Sequence, residues 1–544
     1  MGIPNRTAIE LTAAGLFAAI VLGFGISIAG MASGYVDPLL HAGAQDEAVY
    51  GHAAARMVRT GDWLTPVFLD RFMLNKPPLL MWAGAASMRV AGINPVALRL
   101  PVLAAGVLCC VLVYGWVRRT RSLAAAIAGA VLLLGTPVFY SISRKFMTDA
   151  LLTLFVVAAM HLLAVDPRWE RRWTAIGFGA LSGAAVMTKS AAGLLPLLIL
   201  AVYWVLAAST ERPPLRSVGI AIAVAAMVAA PWHIYQFAVH RDWFIAEYIR
   251  FQLLGSGVTA PSRYTGDSNF WFYLRTLLRT DPILLAVWAS SLPWIVKTWR
   301  KQEHTQARLL AAWFLVAALA LGVFGTRAAY YLLPLLPAMA LMSAEFSPLF
   351  RGRVDWIACI LLIGIFGVKL WAGLDPGPKT VPSAQALDRY SQLRRTNELL
   401  IVNPDDEFYA SVLDLPKVRY VYLTPLDATK TSEFFYRLGM IVDGQQFCSL
   451  PKLMPVFEQR LHAWKLPEGL HPEATLVTDP NLADVIRCSP DRDFLIPNQF
   501  RDVAAPNHTA IYGDSARFLL LSNHSARRPK GSIAPGTVAP AQLP

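Results

Sequence analysis

Charge is scarce in this chain. Of 544 residues only 16% are Asp, Glu, Lys or Arg, whereas 55% are hydrophobic, and mean hydropathy is +0.44. A soluble domain carries roughly 25% charged residues, so a soluble globule is excluded, as are a disordered chain and a collagen-like fibre. Cysteine is scarce too, and five residues make no disulfide framework. No G-x-x-x-x-G-K-[ST] loop, C-x-x-C pair, H-E-x-x-H or G-x-S-x-G occurs. Nucleotide hydrolysis and zinc chemistry therefore lack sequence support. A duplicated pattern of broken helices, the mark of many transporters, is also missing. Acidic residues are the rarer sign, 36 against 49 basic, for a net charge of +13. Such a surplus suits nucleic acid or an anionic leaflet, and the apolar content decides for the membrane.

What is present is a series of long apolar runs. Residues 9–29 form the first, with only Glu10 charged. A cleaved signal peptide is the alternative, but the run exceeds the roughly 7–15 residues of a secretory apolar core. Further runs lie at 98–117, 124–140, 150–165, 174–187, 193–208, 218–234, 282–296, 309–324, 331–346 and 354–373. These predict about eleven transmembrane helices. The stretch 79–90 is too short to cross and reads as an interfacial helix. With residues 1–8 cytoplasmic, every short loop on the same side is basic: Arg118, Arg119 and Arg121, then Arg168, Arg171 and Arg172, then Arg212 and Arg216, then Lys297, Arg300, Lys301 and Arg308, then Arg351 and Arg353. That is the positive-inside pattern. It places the longer loops 31–97 and 237–281, and everything after residue 374, outside.

The composition changes after residue 374. Short strand-like runs at 399–402, 418–423, 475–478 and 518–521 alternate with helix-compatible stretches at 433–438 and 481–487. The expected organisation is a membrane domain over 1–374, a small outer α/β domain over 375–524, and a Pro/Gly/Ala/Ser-rich disordered tail over 525–544. Cys448 and Cys488 both fall in the outer domain, where one disulfide is an open possibility.

Chemistry-bearing residues gather on the outer side. The first outer loop holds Asp46, Glu47, Tyr50, Asp62, Trp63 and Lys76, the last presented by the rigid pair Pro77-Pro78. The second outer turn holds Arg144, Lys145 and Asp149, with Asp149 at the mouth of an apolar helix. Lys189, Arg327, Tyr330 and Tyr331 occupy later outer turns. Plainer readings stand beside these. Asp46 and Glu47 would cap a helix, Asp149 would pair with Arg144 or Lys145, and Lys189 and Arg327 would snorkel to the interface.

Three strings in order, D-E-A-x-Y from Asp46, G-D-W-L-x-P from Gly61 and K-P-P-L-L-x-W from Lys76, resemble the GT-C glycosyltransferases that use polyprenyl-phosphate sugars. The resemblance is nearest to the 4-amino-4-deoxy-L-arabinose lipid A transferase (ArnT-like) family, related to protein O-mannosyltransferases. M-T-D-x-L-L-T from Met147, T-K-S from Thr188 and Y-Y-L-L-P-L-L-P from Tyr330 fit the same pattern. The resemblance implies that Asp46 and Asp149 are the catalytic carboxylates, with Glu47 beside them. It implies that Lys76, Lys189 and Arg250 meet the donor phosphate, joined by Arg327 and Arg144, and that Tyr50, Tyr330 and Tyr331 line the substrate cavity. A divalent cation, if one is held, falls to Asp46 and Asp149. Two positions depart from the family: Asn75 stands where many members have Glu, and Tyr248 where they have His. Both bear on the family metal site and on the identity of the sugar.

The implied reaction moves a sugar from undecaprenyl phosphate to lipid A or another outer-face acceptor, with inversion, in a bacterial inner membrane. Its alternatives are a protein or cell-wall glycan O-glycosyltransferase and, in another class, a lipid-linked-sugar flippase. The residue types suit the first reading. Cations stabilise a departing phosphate, and carboxylates stabilise an oxocarbenium-like sugar or take a hydroxyl proton. The implied partners are the lipid-linked donor, the acceptor and the bilayer, with no nucleic acid.

Overall fold

A computed structural model describes residues 6–23, 44–68, 71–245, 247–249, 252–254, 271–300, 305–323, 327–352 and 354–373. Farther on it describes 390, 392–393, 397, 399–402, 418–424, 474–478, 486, 490–498, 508–513 and 517–522. The chain divides into two compact units. One comprises Met1–Phe68, Phe72–Lys379 and Tyr409–Leu413; the other comprises Leu69–Arg71, Thr380–Phe408 and Asp414–Pro544.

Helices follow the apolar runs. In order they are α1 (Arg6–Gly23) and α2 (Ala44–Thr60), the two-residue strands β1 (Val67–Phe68) and β2 (Arg71–Phe72), then α3 (Leu79–Ala91), α4 (Pro95–Thr120), α5 (Leu123–Leu134), α6 (Pro137–Ile142), α7 (Thr148–Val165), α8 (Arg172–Lys189), α9 (Leu195–Leu206) and α10 (Leu215–Val239). There follow α11 (Arg241–Phe244), α12 (Phe272–Thr280), α13 (Pro282–Arg300), α14 (Thr305–Val323), α15 (Leu336–Phe346) and α16 (Asp355–Gly373). Their ends obey local chemistry. The Asn94 side chain accepts from Ala97 N at 2.8 Å ahead of Pro95, which starts α4, and Arg118 and Arg119 sit in its last turn. Ser122 caps α5 by accepting from Ala125 N at 3.2 Å.

Among the described residues, five helical stretches are long and apolar enough to cross a membrane: Pro95–Thr120, Thr148–Val165, Arg172–Leu206, Leu215–Val239 and Thr305–Gly322. Shorter apolar helices accompany them at Ala8–Val21, Leu79–Ala91, Leu123–Leu134, Pro282–Thr298 and Leu336–Phe346. α10 and α16 leave Ile222, Met227, Ile234, Ile357, Ile360, Leu361 and Val368 exposed. A continuous apolar surface of this kind is stable only against lipid. The chain is a membrane protein.

α8 carries much of the site's architecture. A Cβ on Gly183 would lie 2.6 Å from Val228 Cβ and 2.7 Å from the Ala225 carbonyl, so α8 and α10 approach backbone to backbone. Beyond α8 the 3₁₀ turn Ser190–Leu194 leads into α9. It folds tightly over the helix end, since a Cβ on Gly193 would collide with the Ala185 carbonyl. The runs 174–187 and 193–208 are thus joined by a bend rather than by a loop. At the basic ends, Arg118 bonds Glu10 at 2.7 Å, Arg121 bonds Glu345 at 3.3 Å and Arg308 bonds Glu211 at 2.8 Å.

The second unit is built on a six-stranded sheet ordered β5-β4-β3-β6-β8-β7, with β3 (Leu399–Val402), β4 (Val418–Thr424), β5 (Ala474–Thr478), β6 (Asp493–Pro497), β7 (His508–Gly513) and β8 (Arg517–Ser522). β3 pairs parallel with β4 and β6, and β4 parallel with β5. β8 runs antiparallel between β6 and β7. The four strands expected from sequence are present, and β6 and β7 are additional. Asp493 fastens the sheet: its carboxylate accepts from Tyr390 Oη at 3.0 Å, Asn397 Nδ2 at 3.3 Å and Ser522 N at 2.8 Å. The stretch 433–438, the tail 525–544, Cys448 and Cys488 lie outside the described residues. Cys109, Cys110 and Cys359 are free and buried.

Candidate active site

Asp149 lies in the first turn of α7 and Lys189 in the last turn of α8, positions where the helix dipoles favour an anion and a cation respectively. The two meet. Lys189 Nζ lies 2.5 Å from Asp149 Oδ1, and Thr148 Oγ1 lies 3.3 Å from Oδ2. Asp149 is fully buried. This corrects two plain readings of the sequence. The partner of Asp149 is Lys189 rather than Arg144 or Lys145, and Lys189 turns inward instead of snorkelling. The reason is that a buried carboxylate needs a charged partner at short range, and the bend after α8 delivers one. The ammonium also sits over two aromatic faces, 4.4 Å from the Tyr331 ring centroid and 5.5 Å from that of Tyr330.

Lys76 reaches the same place from the stretch between β2 and α3. Its Nζ donates to Gln252 Oε1 at 2.8 Å. Burial, and next the Lys189 ammonium, bring its pKa down from 10.5 to about 8, against the pull of Asp46 and Asp149. Lys76 thus lies within electrostatic reach of Lys189, Asp46 and Asp149 together. The Tyr330 hydroxyl is pushed up by burial and then by Asp46, Tyr331, Asp149 and Tyr50, so it remains a hydrogen-bond donor. Tyr273, on α12, is pushed up to about 12 by burial, and it feels both Arg327 and Asp149.

Lys76, Asp149, Lys189 and Tyr273 border a cavity of about 130 Å³, and Asp46 acts on Lys76 without being among the residues that line it. One part is polar: Lys76, Asp149, Lys189, Gln252, Tyr273 and Tyr331. The other is apolar: Leu152, Leu195, Leu253, Ala317, Leu321 and Leu335, among others. A lining that combines ionic groups with an extensive aliphatic wall matches an amphiphile with an anionic headgroup.

The remaining expected site residues are placed differently. Glu47 is sealed off from the cavity. Its two oxygens accept from Arg99 at 2.7 and 3.0 Å, and Oε1 also accepts from Phe146 N at 2.8 Å. This corrects its grouping with the catalytic carboxylates: on a helix a neighbouring residue points about 100° away, and Glu47 faces the scaffold. Arg144 lies on Tyr140, donating to its hydroxyl at 3.0 Å. Arg327 is buried beside Tyr273, and Tyr50 and Tyr330 are buried outside the cavity lining. Arg250 lies outside the described residues.

The donor set does not fit a divalent cation. Asp149 already carries the Lys189 ammonium, Lys76 stands nearby, and among the described residues no group of three His, Cys, Asp or Glu comes together. At the two departing positions, Tyr248 Oη lies 2.7 Å from His233 Nε2, and Asn75 offers a neutral amide in place of a carboxylate.

Comparison with known proteins adds to this geometry. Residues 75–235 match the family described as dolichyl-phosphate-mannose-protein mannosyltransferase. An uncharacterized protein of Aquifex aeolicus is 26% identical over 306 residues, 55% of this chain and 58% of that protein. The undecaprenyl phosphate-alpha-4-amino-4-deoxy-L-arabinose arabinosyl transferase of Aeromonas hydrophila is 28% identical over 316 residues, 55% of each chain. The chain thus matches little more than half the length of these curated relatives. The crystal structure of ArnT from Cupriavidus metallidurans bound to undecaprenyl phosphate superposes with a TM-score of 0.68 at 15% identity, covering 94% of this chain and 97% of that one. The fold is that of ArnT. Its apo form gives 0.67 at 16% identity, with 94% and 98% covered. The resemblance read from the ordered motifs is borne out, and the ArnT fold accounts for how motifs far apart in sequence come to share one cavity.

Sequence reasoning missed three residues that the ArnT fold brings in. Gln252 and Tyr273 line the cavity, and Arg99 neutralises Glu47. Arg99 carried a signal, being the lone charge at the outer end of an apolar run. Gln252 and Tyr273 carried none, because neutral polar residues in a long polar stretch between apolar runs look like solvated surface.

Proposed function

We propose that this chain is an integral-membrane glycosyltransferase that moves a sugar from undecaprenyl phosphate to an acceptor on the outer face of a bacterial inner membrane, lipid A foremost. The observation that carries the reading is the cavity: two ammonium groups and a carboxylate share its lining with an aliphatic wall. In the reaction the acceptor oxygen attacks the anomeric carbon, and the bond from that carbon to the phosphate oxygen breaks with inversion. The electron pair stays on the phosphate, where Lys76 and Lys189 neutralise it, in a site screened from water where each is worth more. Because phosphate is a good leaving group, no general acid is required. A hydroxyl acceptor would give its proton to Asp46. A phosphate acceptor, with a second pKa of about 6, is already ionised, and Asp46 would then orient it. Asp149 would face the positive charge that develops on the sugar.

Eleven crossings put the basic loops and the N terminus in the cytoplasm and the domain after residue 374 in the periplasm. Pairs such as Arg121–Glu345 and Arg308–Glu211 support a common face for those loops. The match of residues 75–235 to a protein mannosyltransferase family supports a second reading, transfer to a protein or glycan hydroxyl. Mass spectrometry of lipid A and of surface glycans, with and without the gene, separates the two acceptors. The enzyme reading itself is tested by Lys76→Ala in the purified full-length protein. Transfer should fall by about 10²–10³-fold, the range for removing one preorganised charge-stabilising donor, with insertion and melting unchanged. Wild-type transfer in that variant would overturn it.

A further inference from the structure

The two lysines of the cavity are held in unlike ways. Lys189 sits on a carboxylate at 2.5 Å, whereas Lys76 sits on the amide oxygen of Gln252 at 2.8 Å. A carboxylate partner cancels an ammonium's charge, and an amide partner fixes its position while leaving that charge in place. Among the described residues, Lys76 is the lysine of this cavity whose direct partner is an amide rather than a carboxylate, with Asp46 and Asp149 acting on it from farther off.

The segment that supplies the amide is attached to the Lys76 loop twice. Glu247 Oε2 accepts from Leu74 N at 3.2 Å, two residues before the Gln252 contact with Lys76. The described residues 247–249 and 252–254 are π-helical. π-turns gather at functional sites. Glu247 and Gln252 each contact the loop that holds Lys76. The amide's orientation follows from its partner. An ammonium can only donate, so the carbonyl end faces Lys76 and the NH₂ end is left to donate elsewhere. Gln252 also lines the cavity wall.

We infer that Gln252 is a positioning residue for donor binding, which holds the Lys76 ammonium toward the cavity without neutralising it and presents its own NH₂ to the same phosphate group of a polyprenyl-phosphate ligand. The inference deepens the glycosyltransferase reading and rests on it. It also makes the neutrality of this side chain functional: an acid here would compete with the ligand. The charged groups that act on Lys76 are Lys189, Asp46 and Asp149, so an added carboxylate would be the nearest of its anions.

The test uses the full-length protein in detergent, with undecaprenyl phosphate binding followed by intrinsic tryptophan fluorescence across pH, alongside steady-state transfer. Gln252→Glu should weaken undecaprenyl phosphate binding by roughly tenfold or more, the scale of one charge-assisted contact. It should raise donor KM more than it lowers kcat, and it should move the alkaline limb of binding to higher pH. Gln252→Met should also weaken binding but move that limb to lower pH, because the ammonium loses an acceptor and gains nothing. A merely structural role would not shift the limb in opposite directions. Tight wild-type binding retained in both variants, with an unmoved limb, overturns the role of Gln252 and leaves the enzyme reading standing. Failure of the wild-type protein to bind undecaprenyl phosphate overturns both.

Discussion

Two buried ion pairs are built from acidic residues that the sequence presents alike, and they serve different ends. In Glu47–Arg99, both partners are sealed, at 1% and 2% side-chain exposure. The carboxylate takes two guanidinium contacts and a backbone N–H. In Asp149–Lys189 a single ammonium contact closes the pair, and both residues border a cavity. The first pair fastens α2 and α4 to the turn that leads into α7, which sets the spacing between Asp46 and Asp149. The second keeps hydrogen-bonding capacity facing the space where a ligand would sit. Burial therefore does not separate machinery from scaffold here. Saturation of the carboxylate and access to open volume do.

Removing one member of each pair is the sharpest way to break this contrast. Arg99→Met strands Glu47 in a dry pocket and should destabilise the protein by about 3–5 kcal/mol, the cost of an uncompensated buried charge. Melting in detergent would read it as a large downward shift. Asp149→Asn keeps shape and hydrogen bonding beside an open cavity, so its melting shift should be much the smaller of the two, while transfer falls by about 10²–10³-fold. Equal melting losses in the two variants would erase the distinction, and near-normal transfer in Asp149→Asn would remove that residue from the chemistry.

Much of this was legible in the sequence, for physical reasons. Apolar runs long enough to cross a bilayer announce themselves by length, and Arg99 stood out as a charge at the end of one such run. Lys76 was exposed as special by Pro77 and Pro78, which make its presentation rigid. What a single sequence could not supply was pairing. Asp149 had two cations close by in sequence, and the one it takes, Lys189, comes from a different helix because α8 packs backbone to backbone on α10 at Gly183 and ends in a tight bend. Glu47 and Asp46 are adjacent in sequence but face different surroundings, a consequence of helical geometry that composition does not show. In the second unit β6 and β7 escaped notice because their apolar runs are short, Phe494–Ile496 in one and Ala510–Tyr512 in the other.

A smaller effect sharpens the comparison through pH. The Lys76 ammonium, brought down from 10.5 to about 8 by burial and by Lys189, should lose its proton within an accessible range. Transfer should hold steady below that value and fall by roughly tenfold per pH unit above it. Stability should move the other way. The unfolded chain keeps this proton up to the ordinary lysine pKa while the folded chain has released it, so between the two values the unfolded state binds more protons and folding gains as pH rises. Rate profiles and melting curves over the same pH series check both signs. An alkaline limb displaced to the ordinary lysine range would assign the required cation to another residue.

The smallest effect lies in the sheet unit, where a third buried carboxylate extends the argument about saturation. Asp493 receives the Tyr390 hydroxyl, the Asn397 amide and the Ser522 N–H. Tyr390→Phe deletes one of these donors and leaves the ring's packing, so the cost should be about 1.5–3 kcal/mol, that of a single hydrogen bond to a charged group. Because the carboxylate keeps two donors, the loss should be graded rather than catastrophic, unlike the stranding of Glu47. Hydrogen exchange at β6 and β8, the strands that Asp493 and Ser522 occupy, should report it as modestly faster opening confined to that unit. Transfer by the membrane unit should stay unchanged, since no part of Asp493's cluster belongs to the cavity around Lys76. A loss as large as that of Arg99→Met would mean that saturation does not protect a buried carboxylate in this protein, and the reading of Glu47 as scaffold would lose its physical basis.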